Sequence, residues 1–365
     1  MTYTAGDFEY RVAASADDPV VRDILARVCT GGHIQISFQR EPNALDEPTG
    51  ALAHGYVVAR SRRSGEYVGL CERVVRQCFV NGEIRRLPYL GALRVVPGFR
   101  HRLAVLRGGF EAVRRLLGKP EDLGWSFTSI MSDNAVARRL LGANLRGMPL
   151  YEAVAEYSTY VLAARGNAEC EHASAADLPE ISELLLRVGA RQQFTPAWTL
   201  PALRAALNAG LRPADFLLLR SGGRIHACTS LWDLSAHRQL IVSGYSRLLA
   251  RVRPLINVAT RLRGLPQLPP AGTRLANAYL SHLAVEEASA GDLLRLVSAA
   301  CSEARRRGIA LVLLGQATRH RFAAVLRSRC LHREYRSTLL TVRWPEDAPP
   351  QLDASLCVAP ELALL

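Results

Sequence analysis

One short run of the sequence joins a strand, a break and a cluster of basic residues in an order suited to holding an anion. The apolar run 89–95 ends at Pro97-Gly98, and a helix follows that opens on Arg100, His101 and Arg102. A helix that starts just after a strand presents unpaired N–H groups and the positive end of its dipole, which suits a pyrophosphate. Basic side chains there oppose the dipole unless an anion is bound. The alternative is an ordinary strand-to-helix connection with solvated arginines.

Length, charge and cysteine content restrict the kinds of protein that this chain can be. The chain has 365 residues, enough for two domains with their own cores, and a net charge of +13 that favours polyanionic or phosphorylated partners. Its eight cysteines form no C-x-x-C pair and no Cys/His cluster with zinc spacing, so we expect reduced thiols and no metal. The apolar runs are too short to span a bilayer, which predicts a soluble, cytoplasmic protein.

Three segments recur in the same order, which indicates an internal duplication. Residues 14–19 return at 173–179, residues 89–95 at 279–285, and residues 156–159 at 334–338. The repeat predicts tandem domains over 1–164 and 165–346, joined by a linker at 163–167 and followed by a C-terminal tail over 347–365.

Each copy predicts an α/β unit with a mixed sheet, positioned around the basic turn in the first copy. The strongest local signal is Asn81-Gly82, which predicts a tight hairpin between antiparallel strands. The predicted elements are strands 55–60, 67–79, 83–87, 89–95 and 125–130 with helix 103–117 in the first copy, and helix 292–307 with strand 309–314 in the second.

One segment breaks the symmetry of the two copies. Residues 246–263 form a basic helical insertion that ends in the proline-rich run 264–270, and Pro254 is predicted to kink it. The insertion is either a lid or contact for an acidic substrate, or a solvated face on the surface.

The first copy resembles the GNAT (GCN5-related N-acetyltransferase) superfamily, and the whole chain resembles tandem GNAT proteins of bacteria. The residues that carry the resemblance are Val95-x-Pro97 with Phe99-Arg100, then a helix, a strand and Asn134-x-x-Ala137. The resemblance covers about 8–163 and 170–344. It implies two tandem GNAT-like domains and a co-substrate, acetyl-CoA, whose thioester lies between strands 89–95 and 125–130 of the first. The coenzyme A-binding residues that it implies are Leu93, Val95, Arg100, His101, Arg102, Leu103, Ala104, Val105 and Asn134, although Asn134 is equally suited to capping a helix with Asp133.

The sequence departs from the GNAT pattern at several positions. The glycines usual in the phosphate turn fall on Leu103 and Val105, and the tyrosine that often acts as general acid falls on Leu141. Gly91 and Ala92 stand where a strand glutamate often serves as base. In the second copy Glu286-Glu287 replaces the start of the basic turn and would repel a phosphate. We therefore assign coenzyme A to the first copy and a structural or substrate-shaping role to the second.

Acyl transfer to an amine needs a neutral nucleophile, a polarised carbonyl and a route for the proton. The catalytic candidates are Tyr89 on the central strand, Glu41 in an Arg-Glu-Pro turn, and Tyr151 near the last strands of the copy. Their alternatives are a core tyrosine for each Tyr and a surface ion pair for Glu41. His33 and Asp46 are expected on the same substrate side.

Three functions follow from this reading. The first is an N-acetyltransferase that uses acetyl-CoA and the primary amine of a small molecule or peptide. The second is a Fem-like transferase that takes an aminoacyl-tRNA donor, which the positive charge would suit. The third is a degenerate GNAT pair that acts as a binding or regulatory module, which the missing Gly, Glu and Tyr would suit.

Overall fold

The chain folds into strands joined by amphipathic helices, and the computed structural model describes residues 2–29, 32–263, 266–287 and 289–365. The strands are Thr2–Ala5 (β1), Phe8–Val12 (β2), Ile34–Gln39 (β3), Ala53–Ser61 (β4), Tyr67–Val80 (β5), Glu83–Val95 (β6), Ser126–Met131 (β7), Leu150–Ala163 (β8), Glu171–His172 (β9), Gln192–Gln193 (β10), Phe216–Ser221 (β11), Arg224–Trp232 (β12), Gln239–Tyr245 (β13), Asn277–Val285 (β14), Leu311–Ala317 (β15), His332–Arg343 (β16) and Cys357–Val358 (β17). The helices are Asp18–Arg27 (α1), Leu103–Leu117 (α2), Ala135–Leu141 (α3), Leu178–Gly189 (α4), Leu200–Leu207 (α5), Arg247–Leu262 (α6), Ala290–Arg306 (α7) and Arg321–Arg329 (α8).

One mixed sheet of 13 strands runs through the molecule in the order β1-β2-β4-β5-β6-β7-β16-β8-β15-β14-β12-β11-β9. We call the part from β1 to β7 the first lobe and the part from β15 to β9 the second lobe. The same order of elements occurs in both, since β6-α2-β7-α3-β8 is matched by β14-α7-β15-α8-β16. The α/β fold with a mixed sheet predicted from the sequence is therefore confirmed.

The two central strands are exchanged between the lobes. β8 follows the first lobe in the chain but pairs with β15, while β16 follows the second lobe and pairs with β7. The two strands also pair with each other, so that Tyr157 lies opposite Ser337 and Glu156 opposite Thr338. The repeated segments at 156–159 and 334–338 thus meet at the centre of the sheet, and neither lobe has a complete sheet without the other.

Two small sheets lie outside the main one, and the first of them joins the two lobes. β3 pairs with β13 in antiparallel fashion, with Ile34 opposite Tyr245 and Gln39 opposite Gln239. β10 pairs with β17, which brings the C-terminal segment back against the second lobe. Backbone pairing therefore holds β3 against the second lobe and the C-terminal segment against β10.

Helix α2 packs unusually close to the sheet, which places its first turn at the end of β6. A Cβ at Gly108 would lie only 2.5 Å from Tyr10 Cε2, so glycine is required for this approach. The Tyr10 hydroxyl then donates to the backbone oxygens of Ala104 and Val105, at 3.1 and 3.2 Å.

Several local predictions hold and one needs correction. Asn81 and Gly82 have φ values of 54° and 80° and form the turn between β5 and β6, as their sequence predicts. The two strands predicted at 83–87 and 89–95 are a single strand, because pairing with β5 continues on both sides of Pro88. The insertion forms α6 with Pro254 inside it; of the proline-rich run, residues 264 and 265 lie outside the described residues.

Candidate active site

The centre of the first lobe is a gap between two parallel strands that part from each other. β6 and β7 are in register at one position, Tyr89 opposite Phe127, and Thr128 Oγ1 donates to the Leu90 oxygen at 2.7 Å. Beyond this point the strands separate. The bulge at Ala92, where φ is 47°, turns β6 further away from a regular ladder. The gap can therefore receive an extended ligand that bonds to backbone groups.

The backbone oxygens along the open edge of β6 meet side chains instead of a neighbouring strand. The Leu93 oxygen accepts from Arg94 Nη1 at 3.1 Å, and the Val95 oxygen accepts from Arg100 Nε at 3.3 Å. Leu93 and Val95 are among the residues that the sequence predicts to bind the donor, and both line the open end of the gap.

The start of α2 is the segment for which the sequence predicts an anion site. Its N-cap is Arg102, no side chain caps the helix, and its first turn has no acidic residue. Arg100, His101, Arg102 and Ala104 are exposed. The N–H groups of Leu103 and Ala104 lie among these cationic side chains, an arrangement that a bound anion would stabilise. The next one, that of Val105, donates to the Arg102 oxygen at 3.0 Å.

The two positions that lack the usual glycines do not block this site. Val105 is 3% exposed and packs in the core against β2 and β4, while Leu103 packs against the apolar cluster around Leu106 and Ile130. Both side chains lie under the helix, on the side away from solvent. The exposed N–H groups therefore remain accessible without the glycines.

Asn134 takes the capping position at the start of α3. Its Oδ1 accepts from the Ala137 N–H at 3.1 Å, which fixes the side chain along the helix axis. The structure thus realises the capping role, and contact with a donor stays a prediction.

The three catalytic candidates lie in different surroundings. Tyr89 sits at the base of the gap, against Phe127 with ring centroids 5.0 Å apart. Tyr151 lies on the opposite face of the sheet, under α2 and against Phe110 at 6.1 Å. Glu41 is 44% exposed and its carboxylate bonds Arg22 at 2.6 Å, which is the surface ion pair that formed its alternative. The structure does not group the three residues.

Burial governs the protonation of Tyr89. Desolvation raises the pKa of this phenol well above its ordinary value, and the nearby carboxylate of Glu72 adds to the shift. Tyr89 therefore stays protonated and can donate a hydrogen bond at the base of the gap, but it cannot serve as a base at neutral pH.

A buried carboxylate that the sequence reasoning missed lies beside Tyr89. Glu72 on β5 is opposite Gly91 on β6 and is 2% exposed. A Cβ at Gly91 would lie 3.2 Å from Glu72 Oε2. Glu72 thus fills, from the neighbouring strand, the place where the GNAT pattern leads one to expect a glutamate on β6. A charged residue within the apolar run 67–80 was the available signal.

Glu72 is held by two partners. Its carboxylate accepts from Arg40 at 2.9 Å and bonds His54 Nε2 at 2.9 Å. Burial alone would raise the pKa of this carboxyl, but the Arg40 guanidinium and the His54 hydrogen bond hold it well below its usual range. Glu72 is therefore ionised, and its hydrogen bond to Nε2 orients the His54 imidazole.

The same interior holds more guanidinium groups than carboxylates. Arg76 and Arg238 share Glu47, at 2.6 and 3.8 Å, while Arg40 pairs with Glu72. Burial, together with Arg40, lowers the pKa of Arg238 to about 10. This leaves the surroundings of Glu72 with net positive charge.

Arg94 adds a further cation near the open end of β6. Within the described residues it has no carboxylate within 4.0 Å, and its buried Nε has no hydrogen-bond partner. Burial lowers its pKa. An anionic group bound here would satisfy both the charge and the free donor.

The equivalent gap in the second lobe is filled by the chain itself. β14 and β15 pair over Asn277–Tyr279 and then part. A Cβ at Gly315 would lie 2.7 Å from Leu362 Cβ, and the His282 N–H donates to Glu361 at 3.0 Å. The segment that carries Leu362 and Glu361 therefore stands where a ligand would enter the second lobe.

The described ranges hold no cluster of three or more His, Cys, Asp or Glu side chains suited to a metal ion. Nor does any helix in them have the length and apolar character to cross a membrane.

Comparison with known proteins identifies the fold. No protein-family model and no curated protein matches the sequence. N-myristoyltransferase of Saccharomyces cerevisiae, solved with bound myristoyl-CoA and inhibitors, superposes with a TM-score of 0.63 at 12% identity, over 98% of this chain and 87% of that one. A GCN5-related N-acetyltransferase from Sphaerobacter thermophilus superposes with a TM-score of 0.54 at 15% identity, over 97% and 100% of the two chains. The fold is that of the GNAT acyltransferases. The match to N-myristoyltransferase extends over both lobes, in agreement with the duplicated order of elements.

Proposed function

We propose that the chain is a coenzyme A-dependent N-acyltransferase whose first lobe binds the donor. The observation that carries this proposal is the gap between β6 and β7 followed directly by the uncapped, basic start of α2. Leu93 and Val95 would bond the pantetheine arm through their backbones. The N–H groups of Leu103 and Ala104 would hold the pyrophosphate, with charge from Arg100, His101 and Arg102. The Val105 N–H already donates to the Arg102 oxygen at 3.0 Å and is not proposed as a donor to the ligand.

The contrast between the lobes supports this assignment. The second-lobe gap is occupied by Leu362 and Glu361, and its connection carries Glu286, which pairs with Arg187 and Arg224. A carboxylate there would oppose a phosphate. We accordingly propose that 1–164 is the donor-binding domain and 165–346 a degenerate one that shapes the site, although the sheet itself crosses this boundary through β8 and β16.

We propose an acetyl group as the acyl group, because aromatic rings close the base of the gap. Tyr89, Phe127 and Phe194 close it, with ring centroids 5.0 and 5.2 Å apart, and Phe127 and Phe194 are 5% and 1% exposed. A long chain would have to displace these rings, at a cost typical of overpacking a core. Acetyl-CoA is therefore the proposed donor.

The chain's own residues supply proton handling at the gap. His54, oriented by ionised Glu72, is the proposed acceptor of the proton from the attacking ammonium, directly or through water. Tyr89 donates a hydrogen bond where negative charge develops at the thioester. Glu41 and Tyr151 stay predictions, since neither contacts this group.

The acceptor that suits the interior is a primary amine that also carries an anionic group, such as a carboxylate, on a small molecule or peptide. In the part of the chain that the structure describes, no carboxylate pairs with Arg94, and the surroundings of Glu72 hold excess guanidinium charge. A bound carboxylate would take the free Arg94 donor and orient the amine toward the gap.

The test of this function is donor binding followed by turnover. Isothermal titration calorimetry should show binding of acetyl-CoA that Arg100→Glu abolishes and that Arg305→Glu, the same change on exposed α7 in the second lobe, leaves intact. A panel of amines with and without a carboxylate should then show acetylation. Absence of binding by the unaltered protein would refute the proposal, while binding without turnover of any amine would identify a binding module.

A further inference from the structure

Helix α6 presents a row of apolar side chains to solvent. Leu248, Leu255, Val258 and Leu262 are 69%, 73%, 60% and 84% exposed. The three leucines are spaced by seven residues, or two helical turns, and Val258 lies one turn from Leu255 and Leu262. They form one stripe about 21 Å long at 1.5 Å per residue. Isolated exposed leucines are common, but a continuous stripe of this kind needs an explanation.

Arg251 lies on the same face, between Leu248 and Leu255, and α6 itself carries no Asp or Glu. Arg247, Arg251 and Arg261 on α6 are exposed, and none of them forms an ion pair within the described residues. Residues 246–263 contain five arginines and no Asp or Glu. The face is therefore both apolar and strongly positive.

The inner face of α6 is already satisfied by the chain. Asn257 Nδ2 donates to the Leu268 oxygen at 3.0 Å, and its Oδ1 accepts from the Leu268 N–H at 2.8 Å. Arg253 donates to the Pro269 oxygen at 3.0 Å and lies over the Tyr245 ring at 5.5 Å. These contacts hold α6 against the chain through the face opposite the stripe. The stripe is therefore not a core-facing surface.

The combination of charge and apolar surface selects the occupant. A second copy of the chain would bring the same arginines against these ones, which would repel in a symmetric contact. Nucleic acid would match the charge but leave the leucines exposed to water. An anionic lipid surface meets both requirements, because acyl chains take the leucines while phosphate and carboxylate head groups take the arginines.

We propose that α6 is an interfacial helix that binds the protein peripherally to anionic membranes. Its place relative to the first lobe is also defined. The Ser246 N–H donates to the His33 oxygen at 2.9 Å, and a Cβ at the adjacent Gly32 would lie 3.8 Å from Asp133 Oδ2, just past the end of β7. The start of α6 therefore lies near the end of β7, at the same end of the sheet as the open end of the gap. The binding itself does not depend on the acyltransferase activity.

Vesicle flotation with the full-length protein tests the proposal. Vesicles of phosphatidylcholine with added phosphatidylserine should carry the protein upward, those of phosphatidylcholine alone should not, and added salt should weaken the binding. Leu255→Asp, and separately Leu262→Asp, should lower the partition coefficient about tenfold or more, because each removes an inserted side chain and adds a repelled charge. Leu331→Asp is the matched control, since Leu331 is 67% exposed outside α6.

Far-UV circular dichroism of each variant checks that α6 and the sheet are intact. We expect them to be, because the substituted side chains are exposed. The proposal is overturned if the unaltered protein ignores anionic vesicles, or if Leu331→Asp weakens binding as much as the α6 variants. It is also overturned if Leu255→Asp converts a dimer into a monomer in light scattering, because the stripe would then be covered by a second copy.

Discussion

Replacement of Glu72 by glutamine is the sharpest test of the buried site. Glu72 is 2% exposed and compensates Arg40, whose side chain is 15% exposed. Removal of one partner from a buried ion pair costs about 3–5 kcal/mol, and an isosteric amide that keeps a hydrogen bond should fall at the lower end of that range. We therefore expect Glu72→Gln to lower the free energy of unfolding by about 3 kcal/mol at neutral pH.

The pH dependence of the free energy of unfolding gives a second, independent test of this prediction. The pKa of Glu72 in the folded protein lies below its ordinary value of 4.5. A depressed folded-state pKa contributes stability that is present above the unfolded pKa and is lost as the pH falls through the folded one. The stability difference between the unaltered protein and Glu72→Gln should thus be constant from pH 7 to about 5 and shrink below pH 4.5.

Urea unfolding followed by fluorescence and circular dichroism, across this pH range, measures both quantities. Glu83→Gln is the matched control, because Glu83 is on the neighbouring strand, 74% exposed, and paired with Arg85. It should cost less than about 1 kcal/mol. A loss for Glu72→Gln no greater than that of the control, or a difference that grows in acid, would refute the reasoning.

Three further predictions concern packing, chemistry and specificity. Gly108→Ala should destabilise the protein by about 1–3 kcal/mol through a clash with Tyr10. Gly109→Ala should be neutral or stabilising, because its Cβ would lie 3.9 Å from Tyr10 Cε1. Urea unfolding distinguishes the two variants, and equal effects would contradict the close contact at Gly108. Tyr89→Phe should lower kcat for acetyl transfer with little change in KM, and an unchanged kcat would remove Tyr89 from the chemistry. Arg94→Gln should raise KM for amines that carry a carboxylate but not for those without one, and a uniform rise would exclude an anion contact.

The parts of the candidate site that the sequence predicted are those built from neighbouring residues. The strand that ends near Pro97, the helix that begins at Leu103 and the exposed cations between them follow from residue types within a few positions. Asn81-Gly82 predicted its turn for the same reason, since both residues tolerate positive φ. These features depend on local backbone preference, which a single sequence records.

The carboxylate at the base of the gap could not be derived in this way. Alternation along β5 shows which residues share a face, but not which residue of β6 lies opposite Glu72. The bulge at Ala92 shifts the register between the two strands, and it brings Glu72 beside Gly91. A carboxylate on β5 thus lies beside the position on β6 where the sequence has glycine.

The sequence by itself determined that there are two α/β copies, that they share an order of elements, and that one of them carries a basic turn. The tertiary structure alone decided how they join. Residues 156–159 and 334–338 have nearly the same pattern, so either strand suits either lobe as far as local preference goes. Long-range pairing places β16 beside β7 and β8 beside β15, and Leu362 lies in the gap of the second lobe. The physical reason is that only the complete sheet buries the apolar surfaces of both lobes together.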